Sequence, residues 1–288
     1  MNTRDRMIRD LRALGVQPGD AILMHSSMKS LGVTETPAYI LDTVQLAVGD
    51  AGTLLLPALS YATVNKQNPV WSYNDTPACV GLLPETFRHL PDVVRSVHPT
   101  HSVCARGALA DTLTKDHRDD RTPVGERSPF RKLPGVGGKI LMLGCGMGPM
   151  TFMHGVEEAA PAMYVLLPDP WHYTMIERDG SRYEVDHYRH GINRYGAQRY
   201  ARAESLLDAS ELHRGRVLGA AEDAAAAGAA EGLVRGQRHD VGVLDRVRVR
   251  PAGDEPGDVR GVEHEQRPDL VGDLPERCRV DDAGVGGG

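Results

Sequence analysis

A histidine and a carboxylate that follow a glycine-rich turn could together move a proton. His154 and Glu157 are three residues apart, which places both side chains on one face of a helix. An imidazole titrates near neutral pH, and a neighbouring carboxylate can orient it and favour its charged form. The pattern predicts a general base at His154 that is oriented by Glu157. The alternative is a core histidine bonded to backbone and an ordinary helix carboxylate.

Two further histidines, His98 and His101, lie in one proline-containing loop. With His154 as a third ligand, they could hold the metal ion of a hydrolase. An offset of three in such a loop is not diagnostic of zinc, and no cysteine or aspartate pair completes the set. A metal-dependent hydrolase is therefore an alternative hypothesis, and the preferred interpretation requires no metal.

Short apolar runs predict the strands that position these residues. They are Asp20–Met24, Thr53–Pro57 and Ile140–Leu143. The helical spacing of Pro37–Val48 lies between the first two runs, and a strand-helix-strand order implies a right-handed crossover and parallel pairing. We predict an α/β sandwich with a largely parallel central sheet flanked by helices. Because open α/β sheets place their sites at the carboxyl ends of strands, the turn before His154 is a suitable site.

Weaker signals predict the remaining elements. Thr3 and Thr151 are candidate N-caps of helices, and a short helix is expected at Leu83–Leu90. Residues 60–80 are polar and turn-rich, which indicates a long loop. Asp179–Gly180 separates two strand-like runs and predicts a hairpin. Part of Tyr188–Leu207 has helical spacing.

Composition limits the classes of partner. The chain has 288 residues, a formal net charge of −6 and four scattered cysteines. Its acidic balance argues against nucleic acid, and no apolar run approaches the roughly 20 residues of a membrane span. Cysteines without metal or disulfide spacing indicate reduced thiols, so we expect a cytoplasmic protein.

The C-terminal segment differs in composition from the rest. From residue 211 onward it contains no Ser, Thr, Asn, Lys, Ile, Met or aromatic residue. The remaining residue types suggest a GC-rich reading frame translated out of phase, with a plain low-complexity tail as the alternative. We expect one catalytic domain at 1–234 and a disordered tail at 235–288.

Four motifs in register resemble the aminoglycoside 3-N-acetyltransferases, the antibiotic N-acetyltransferase family that uses acetyl-coenzyme A. The likeness covers about residues 5–205. The last motif, Thr151 to Glu157, matches the family pattern Thr-x-x-His-x-x-Glu. The motifs are His25–Gly32, Gly52–Pro57, Arg95–Ser102, and Gly138–Leu143 with Thr151–Glu157.

The resemblance implies acetyl transfer to an aminoglycoside amine at the 3-N position and hence antibiotic resistance. It implies that His154 is the essential histidine, that Glu157 orients it, and that His25 faces the acyl group. Packing is the alternative role for His25. A same-family acyltransferase acting on another amine metabolite is a rival interpretation, and a folded but inactive relic is a third. The oligomeric state is not predicted.

The resemblance also implies where the two substrates bind. Hydroxyls, backbone donors and one lysine in the first motif would hold coenzyme A, although serine clusters more often cap a following helix. The candidate cofactor-binding residues are Ser26, Ser27, Met28, Lys29, Ser30, Leu31, Gly32, His98 and Ser102. A polycationic acceptor requires carboxylates. The candidates for this role are Asp75, Glu158, Asp169 and Asp186.

Overall fold

The computed structural model describes residues 2–160, 165–191, 198–207 and 212–218, together with the strand at 241–244. All of them belong to one unit, Met1–Arg248. Among these residues, no helix has the length and apolar character needed to cross a bilayer. The expected tail at 235–288 lies outside the described residues except for that one strand.

Three parallel strands form the centre of the main sheet. They are β1 (Ala21–Ser26), β2 (Thr53–Pro57) and β6 (Lys139–Leu143). β1 lies between the other two and pairs in parallel with both. All three predicted strands are confirmed, but β1 extends two residues beyond its predicted end. His25 therefore belongs to a buried strand and not to the turn that follows it.

The outer strands make the sheet mixed. β5 (Val103–Gly107) pairs antiparallel with β2, and β4 (Val94–Arg95) pairs antiparallel with β5. On the other side, β10 (Val241–Leu244) pairs antiparallel with β6 and with β9 (Leu212–Gly215). The order is β4-β5-β2-β1-β6-β10-β9. Parallel pairing is thus confirmed for the central strands, and the flanking ladders are antiparallel.

Two hydrophobic clusters cover the two faces of this sheet. Ile22 and Met24 of β1 pack in one cluster with the first three helices, and Leu23 packs in the other with the last three. The helices are α1 (Thr3–Ala13), α2 (Pro37–Val48), α3 (Leu82–Arg88), α4 (Ala110–Thr114), α5 (Pro129–Lys132) and α6 (Phe152–Ala159). Because strand side chains alternate between faces, His25 lies on the face of Leu23, which α6 covers.

The two predicted N-caps are wrong in detail. The side chain of Asn2, one residue before Thr3, caps α1 by accepting a hydrogen bond from the backbone N–H of Asp5 at 2.9 Å. Thr151 precedes α6, but its side chain makes no capping bond. α2 begins and ends as predicted, with Thr36 as its cap.

A second, three-stranded sheet was not predicted. β3 (Val70–Ser72) lies in the region expected to be a long loop and pairs in parallel with β7 (Trp171–Ile176). β7 and β8 (Arg182–His187) form the predicted hairpin around Asp179–Gly180. Of the expected helical segment after β8, residues 192–197 lie outside the described part, and Tyr200–Leu206 form a 3-10 helix.

Candidate active site

The turn between β6 and α6 determines where α6 begins. Gly144 and Gly146 have φ angles of +73° and +57°, which favour glycine. A Cβ on Gly144 would lie 3.1 Å from Cβ of Ser30 and 3.3 Å from the carbonyl oxygen of Ser27. The glycine turn therefore packs directly against the serine loop that follows β1.

His154 lies in the first turn of α6 and forms a compact group with Glu157 and Tyr200. Nδ1 of His154 is 2.6 Å from the Tyr200 hydroxyl oxygen and 3.3 Å from Oε2 of Glu157. The Tyr200 hydroxyl donates to the same Glu157 oxygen at 2.6 Å. Since that hydroxyl proton points to Glu157, the tyrosine oxygen accepts the proton of His154 Nδ1. This network assigns the N–H to Nδ1 and leaves Nε2 as the basic nitrogen.

The basic nitrogen faces an amide. Nε2 of His154 is 3.0 Å from Nε2 of Gln198, which can donate a hydrogen bond to it. The imidazole is only 6% exposed. A substrate amine could replace the Gln198 amide at this nitrogen without disturbing the bonds at Nδ1.

Burial and hydrogen bonding shift the pKa values of His154 and Glu157 in opposite directions. Burial lowers the pKa of His154, the hydrogen bond to Glu157 raises it, and the neighbouring His190 lowers it, with a net downward shift. Burial raises the pKa of Glu157, but the hydrogen bonds from His154 and Tyr200 outweigh this and leave it below its ordinary value. His154 is thus a neutral base beside an ionised carboxylate at neutral pH.

His101 and His190 complete an imidazole cluster with His154. The ring centroids of His154 and His190 are 4.1 Å apart, and both rings lie edge-on to His101. One nitrogen from each of the three lies within 4.8 Å of the others, a spacing that could suggest a metal site. However, both nitrogens of His154 are hydrogen-bonded, and Nε2 of His190 is bonded to Glu158 at 2.6 Å. In the structure, each of these nitrogens therefore has a hydrogen-bond partner.

His98 touches this cluster only through the His101 ring, at a centroid distance of 6.0 Å, and its own hydrogen bonds correct both roles proposed for it. Its Nδ1 accepts backbone N–H bonds from Thr100 and His101, at 3.1 and 2.9 Å, and its Nε2 donates to the carbonyl of Thr122 at 3.1 Å. The side chain is completely buried. No nitrogen of His98 is left for a metal or for coenzyme A, because backbone groups occupy both.

Ser102 is likewise an interior residue. Its hydroxyl donates to the carbonyl of Ala58 at 2.8 Å and accepts from the guanidinium of Arg95 at 2.9 Å. The side chain is fully buried. The predicted contact of Ser102 with the cofactor is therefore corrected to a structural role that links β4, β5 and the end of β2.

The end of β1 and the serine loop after it carry the polar groups predicted to bind the cofactor, and two atoms in the strand are unpaired. Nε2 of His25 and Oγ of Ser26 are buried and have no hydrogen-bond partner among the described residues. Ser27 and Ser30 bond to each other at 2.9 Å, Lys29 is exposed, and Met28–Leu31 form a 3-10 helix that ends at Gly32. Burial lowers the pKa of His25 to about 4, so this imidazole is neutral at physiological pH.

The four predicted acceptor carboxylates lie in different environments. Asp75 accepts from the Ser72 hydroxyl at 2.6 Å, Asp186 pairs with His172 at 2.8 Å, and Asp169 is exposed. Glu158 is mostly buried, and its Oε1 also accepts from the backbone N–H of Val124 at 2.9 Å. Only Glu158 belongs to the His154 cluster; it also borders an open cavity of about 520 Å³ with Asp120 and Arg131.

Sequence reasoning missed Tyr200, Gln198 and His190, which contact His154 directly. They follow it by 36 to 46 residues and carry no local pattern that ties them to α6. The hairpin β7–β8 returns the chain toward this site. The predicted hairpin was therefore the available signal that polar or aromatic residues after it could contact His154.

Solved structures with this fold have been described, and they define the class of protein. A mutant of aminoglycoside acetyltransferase AAC(3)-IVa in complex with a gentamicin superposes with a TM-score of 0.65 at 25% identity, covering 84% of this chain and 83% of the other. A binary complex of AAC-IIIb with CoASH superposes with a TM-score of 0.59 at 26% identity, covering 85% and 92% of the two chains. The fold is that of these acetyltransferases.

The family follows from the sequence match. The family model for aminoglycoside 3-N-acetyltransferases matches residues 23–230, and the chain belongs to this family. The aminoglycoside N(3)-acetyltransferase VIII of Streptomyces fradiae is 37% identical over 181 residues, which are 56% of this chain and 62% of that protein. The alignment thus spans less than two thirds of that relative's length.

Proposed function

We propose that this chain transfers an acetyl group from acetyl-coenzyme A to an amine of an aminoglycoside, at the 3-N position, and so confers resistance to the antibiotic. The observation that carries the proposal is the His154–Glu157–Tyr200 group, in which every proton of the hydrogen-bond chain has an acceptor and one basic nitrogen remains. Membership of the family and the names of its relatives support the choice of substrates.

In the proposed reaction, the amine nitrogen bonds to the thioester carbonyl carbon while the carbon–sulfur bond breaks. His154 removes the proton of the amine through Nε2 and returns a proton to the departing sulfur. Glu157 stabilises the positive charge on the imidazole during this exchange, and Tyr200 keeps Nδ1 directed away from the substrate. Burial of the group strengthens each of these interactions, because few waters screen them.

The serine loop is the proposed binding site of the acyl carrier. The unpaired atoms of His25 and Ser26 lie buried at the carboxyl end of β1, directly before the loop that packs against the glycine turn. A ligand with amide and phosphate groups could satisfy such atoms, and the exposed Lys29 could meet a phosphate. Because this donor is a cytoplasmic metabolite, we propose a cytoplasmic reaction.

A thiol-release assay with acetyl-coenzyme A and a panel of aminoglycosides tests the proposal. The wild-type chain should release thiol with at least one aminoglycoside, and His154→Ala should be slower by about 10²- to 10⁴-fold, the usual contribution of a general base. His89→Ala is the matched control, since His89 is an exposed histidine that also contacts a glutamate. Mapping the acetylated nitrogen by NMR of the product tests the 3-N position.

Three results would contradict parts of this proposal. Equal rates for the wild type and His154→Ala would exclude His154 as the base. Turnover only with other amines would favour the rival acyltransferase. Binding of coenzyme A without turnover by the wild type would identify the chain as an inactive relic.

A further inference from the structure

Directly behind the catalytic histidine lies a second histidine–glutamate pair. α6 carries two adjacent carboxylates, and each serves a different imidazole: Glu157 contacts His154, and Glu158 contacts His190. The Nε2–Oε1 distance of the second pair is 2.6 Å, and its side chains are 10% and 5% exposed. A pair this short and this well buried is a specific arrangement and not a chance surface contact.

The backbone on both sides of His190 is fixed. The N–H of Leu167 donates to the carbonyl of Arg189 at 2.7 Å, and the N–H of Gly191 donates to the carbonyl of Val165 at 2.8 Å. Glu158 is held in turn by the backbone N–H of Val124. The His190 ring is therefore anchored from its own segment and from α6 together.

The anchored ring lies against the face of His154. The two ring planes are inclined by 31°, with centroids 4.1 Å apart. The other charged or titratable groups that face His154 are Glu157 of α6, Tyr200 of the 3-10 helix, and His101 of the loop before β5. Of the described groups that touch His154, only Glu157 is a carboxylate, and the adjacent His190 imidazole opposes its effect on the pKa of His154. Glu158 lies further out and pairs with His190.

We propose that His190, anchored by Glu158, is a positioning residue that packs against His154 and keeps it in the neutral, proton-accepting form. Two imidazole rings with centroids 4.1 Å apart disfavour protonation of both rings at once, whereas Glu157 favours protonation of His154. The two carboxylates of α6 thus have separate functions. Glu157 stabilises the positive charge that His154 acquires during the reaction. Glu158 anchors His190, which disfavours protonation of His154 before the reaction.

This inference rests on the proposed function, so its test includes a readout that needs no turnover. The proton uptake of the His154 ring is followed by NMR titration of ¹⁵N-histidine-labelled protein, and thiol release is measured over the same pH range. The test variant is His190→Gln, which removes the imidazole but retains a polar side chain. The control is His89→Gln, which disrupts an exposed pair with Glu85 of 3.1 Å.

In His190→Gln, the midpoint of proton uptake by His154 should move to higher pH, and the acid limb of the rate profile should move with it. In His89→Gln both should match the wild type. An unchanged or lowered His154 midpoint in His190→Gln overturns the inference. A wild type that releases no thiol overturns the proposed function instead, while the NMR titration still decides the inference.

A second variant covers the case in which His190→Gln fails to fold because Glu158 is left buried and unpaired. Glu158→Gln keeps the shape and the accepting oxygen but lacks the charge that anchors His190. The rate at neutral pH should fall by about tenfold with an unchanged KM for acetyl-coenzyme A, as expected for a displaced catalytic group. A wild-type rate in this variant overturns the role of Glu158.

Discussion

Two groups of buried histidines in this chain differ in their hydrogen-bond partners. In one group, His154 and His190 are bonded to glutamates, a tyrosine hydroxyl and a glutamine amide. In the other, His98 lies between the rings of His117 and His187, at centroid distances of 4.8 Å, and is bonded to backbone. Burial alone therefore does not mark a catalytic imidazole.

This difference indicates which hydrogen-bond partners allow a buried histidine to transfer protons. A backbone amide or carbonyl cannot change its charge, so an imidazole held by such groups stays neutral and only supports the fold. A carboxylate can stabilise an imidazolium, so a neutral histidine that contacts Glu157 can accept a further proton. The first arrangement predicts effects on stability, and the second predicts effects on rate.

The largest expected effect on stability is that of His98→Ala. The variant leaves two backbone N–H groups and one carbonyl buried without their partner, and it opens a cavity beneath the ring. The free energy of unfolding should fall by about 2–4 kcal/mol, measured by denaturant titration. The KM for acetyl-coenzyme A should be unchanged below the melting temperature; a raised KM would restore His98 as a cofactor-binding residue.

The histidines around His98 should also make the folded protein less stable in acid. Burial lowers the pKa of His187 to about 4 and that of His117 to about 3. An unfolded histidine has a pKa of about 6.5, so stability is complete above this pH and falls as the pH decreases toward the folded values. Each of the two should contribute a loss of roughly 1 kcal/mol per pH unit in this window.

Thermal melting between pH 7.5 and 4.5 checks this expectation. His187→Asn, which cannot take up a proton, should reduce the slope of the melting temperature against pH. The slope should be unaffected by His89→Asn, since His89 is an exposed surface residue. An unaltered slope in His187→Asn would show that the buried group is not responsible for acid lability.

A smaller effect is expected for Tyr200→Phe. It removes the hydroxyl that bridges His154 and Glu157 but leaves the direct contact of 3.3 Å between them. The rate should fall by about 10- to 100-fold, because a hydrogen bond to a charged group contributes roughly 1.5–3 kcal/mol. Steady-state kinetics of thiol release measures it; a loss as large as that of His154→Ala would mean that the tyrosine itself takes part in proton transfer.

The smallest effect on the rate is expected for Gly144→Ala. The added Cβ would meet Ser30 at 3.1 Å, in a backbone conformation with φ of +73°. The cost should be about 1–3 kcal/mol of stability, and the displaced serine loop should bind coenzyme A more weakly. Calorimetric titration with coenzyme A checks this, with Gly148→Ala as the control, since no described atom lies within 4 Å of its added Cβ.

Local patterns predicted what local contacts determine. The three central strands, α2 and the hairpin around Asp179–Gly180 follow from runs and turns that neighbouring residues define. The spacing of His154 and Glu157 was visible for the same reason. A helix turn brings such residues together whatever the rest of the chain does.

Long-range packing accounts for the rest. His98 and Ser102 turn into the interior because backbone groups of distant segments, such as the carbonyls of Thr122 and Ala58, accept their protons. Tyr200 reaches His154 only after the second sheet has returned the chain to α6. No residue spacing in the sequence predicts either of these contacts.

One paired measurement tests the central claim most directly. The claim is that His154 is the only buried imidazole among the described residues that takes part in the proposed acetyl transfer. The rate of thiol release and the melting temperature are determined on the same preparations of His154→Asn and His98→Asn. We predict a lost rate with near-normal melting for the first variant, and a lowered melting temperature with a retained rate for the second. A retained rate in His154→Asn, or a lost rate in a folded His98→Asn, would contradict this assignment.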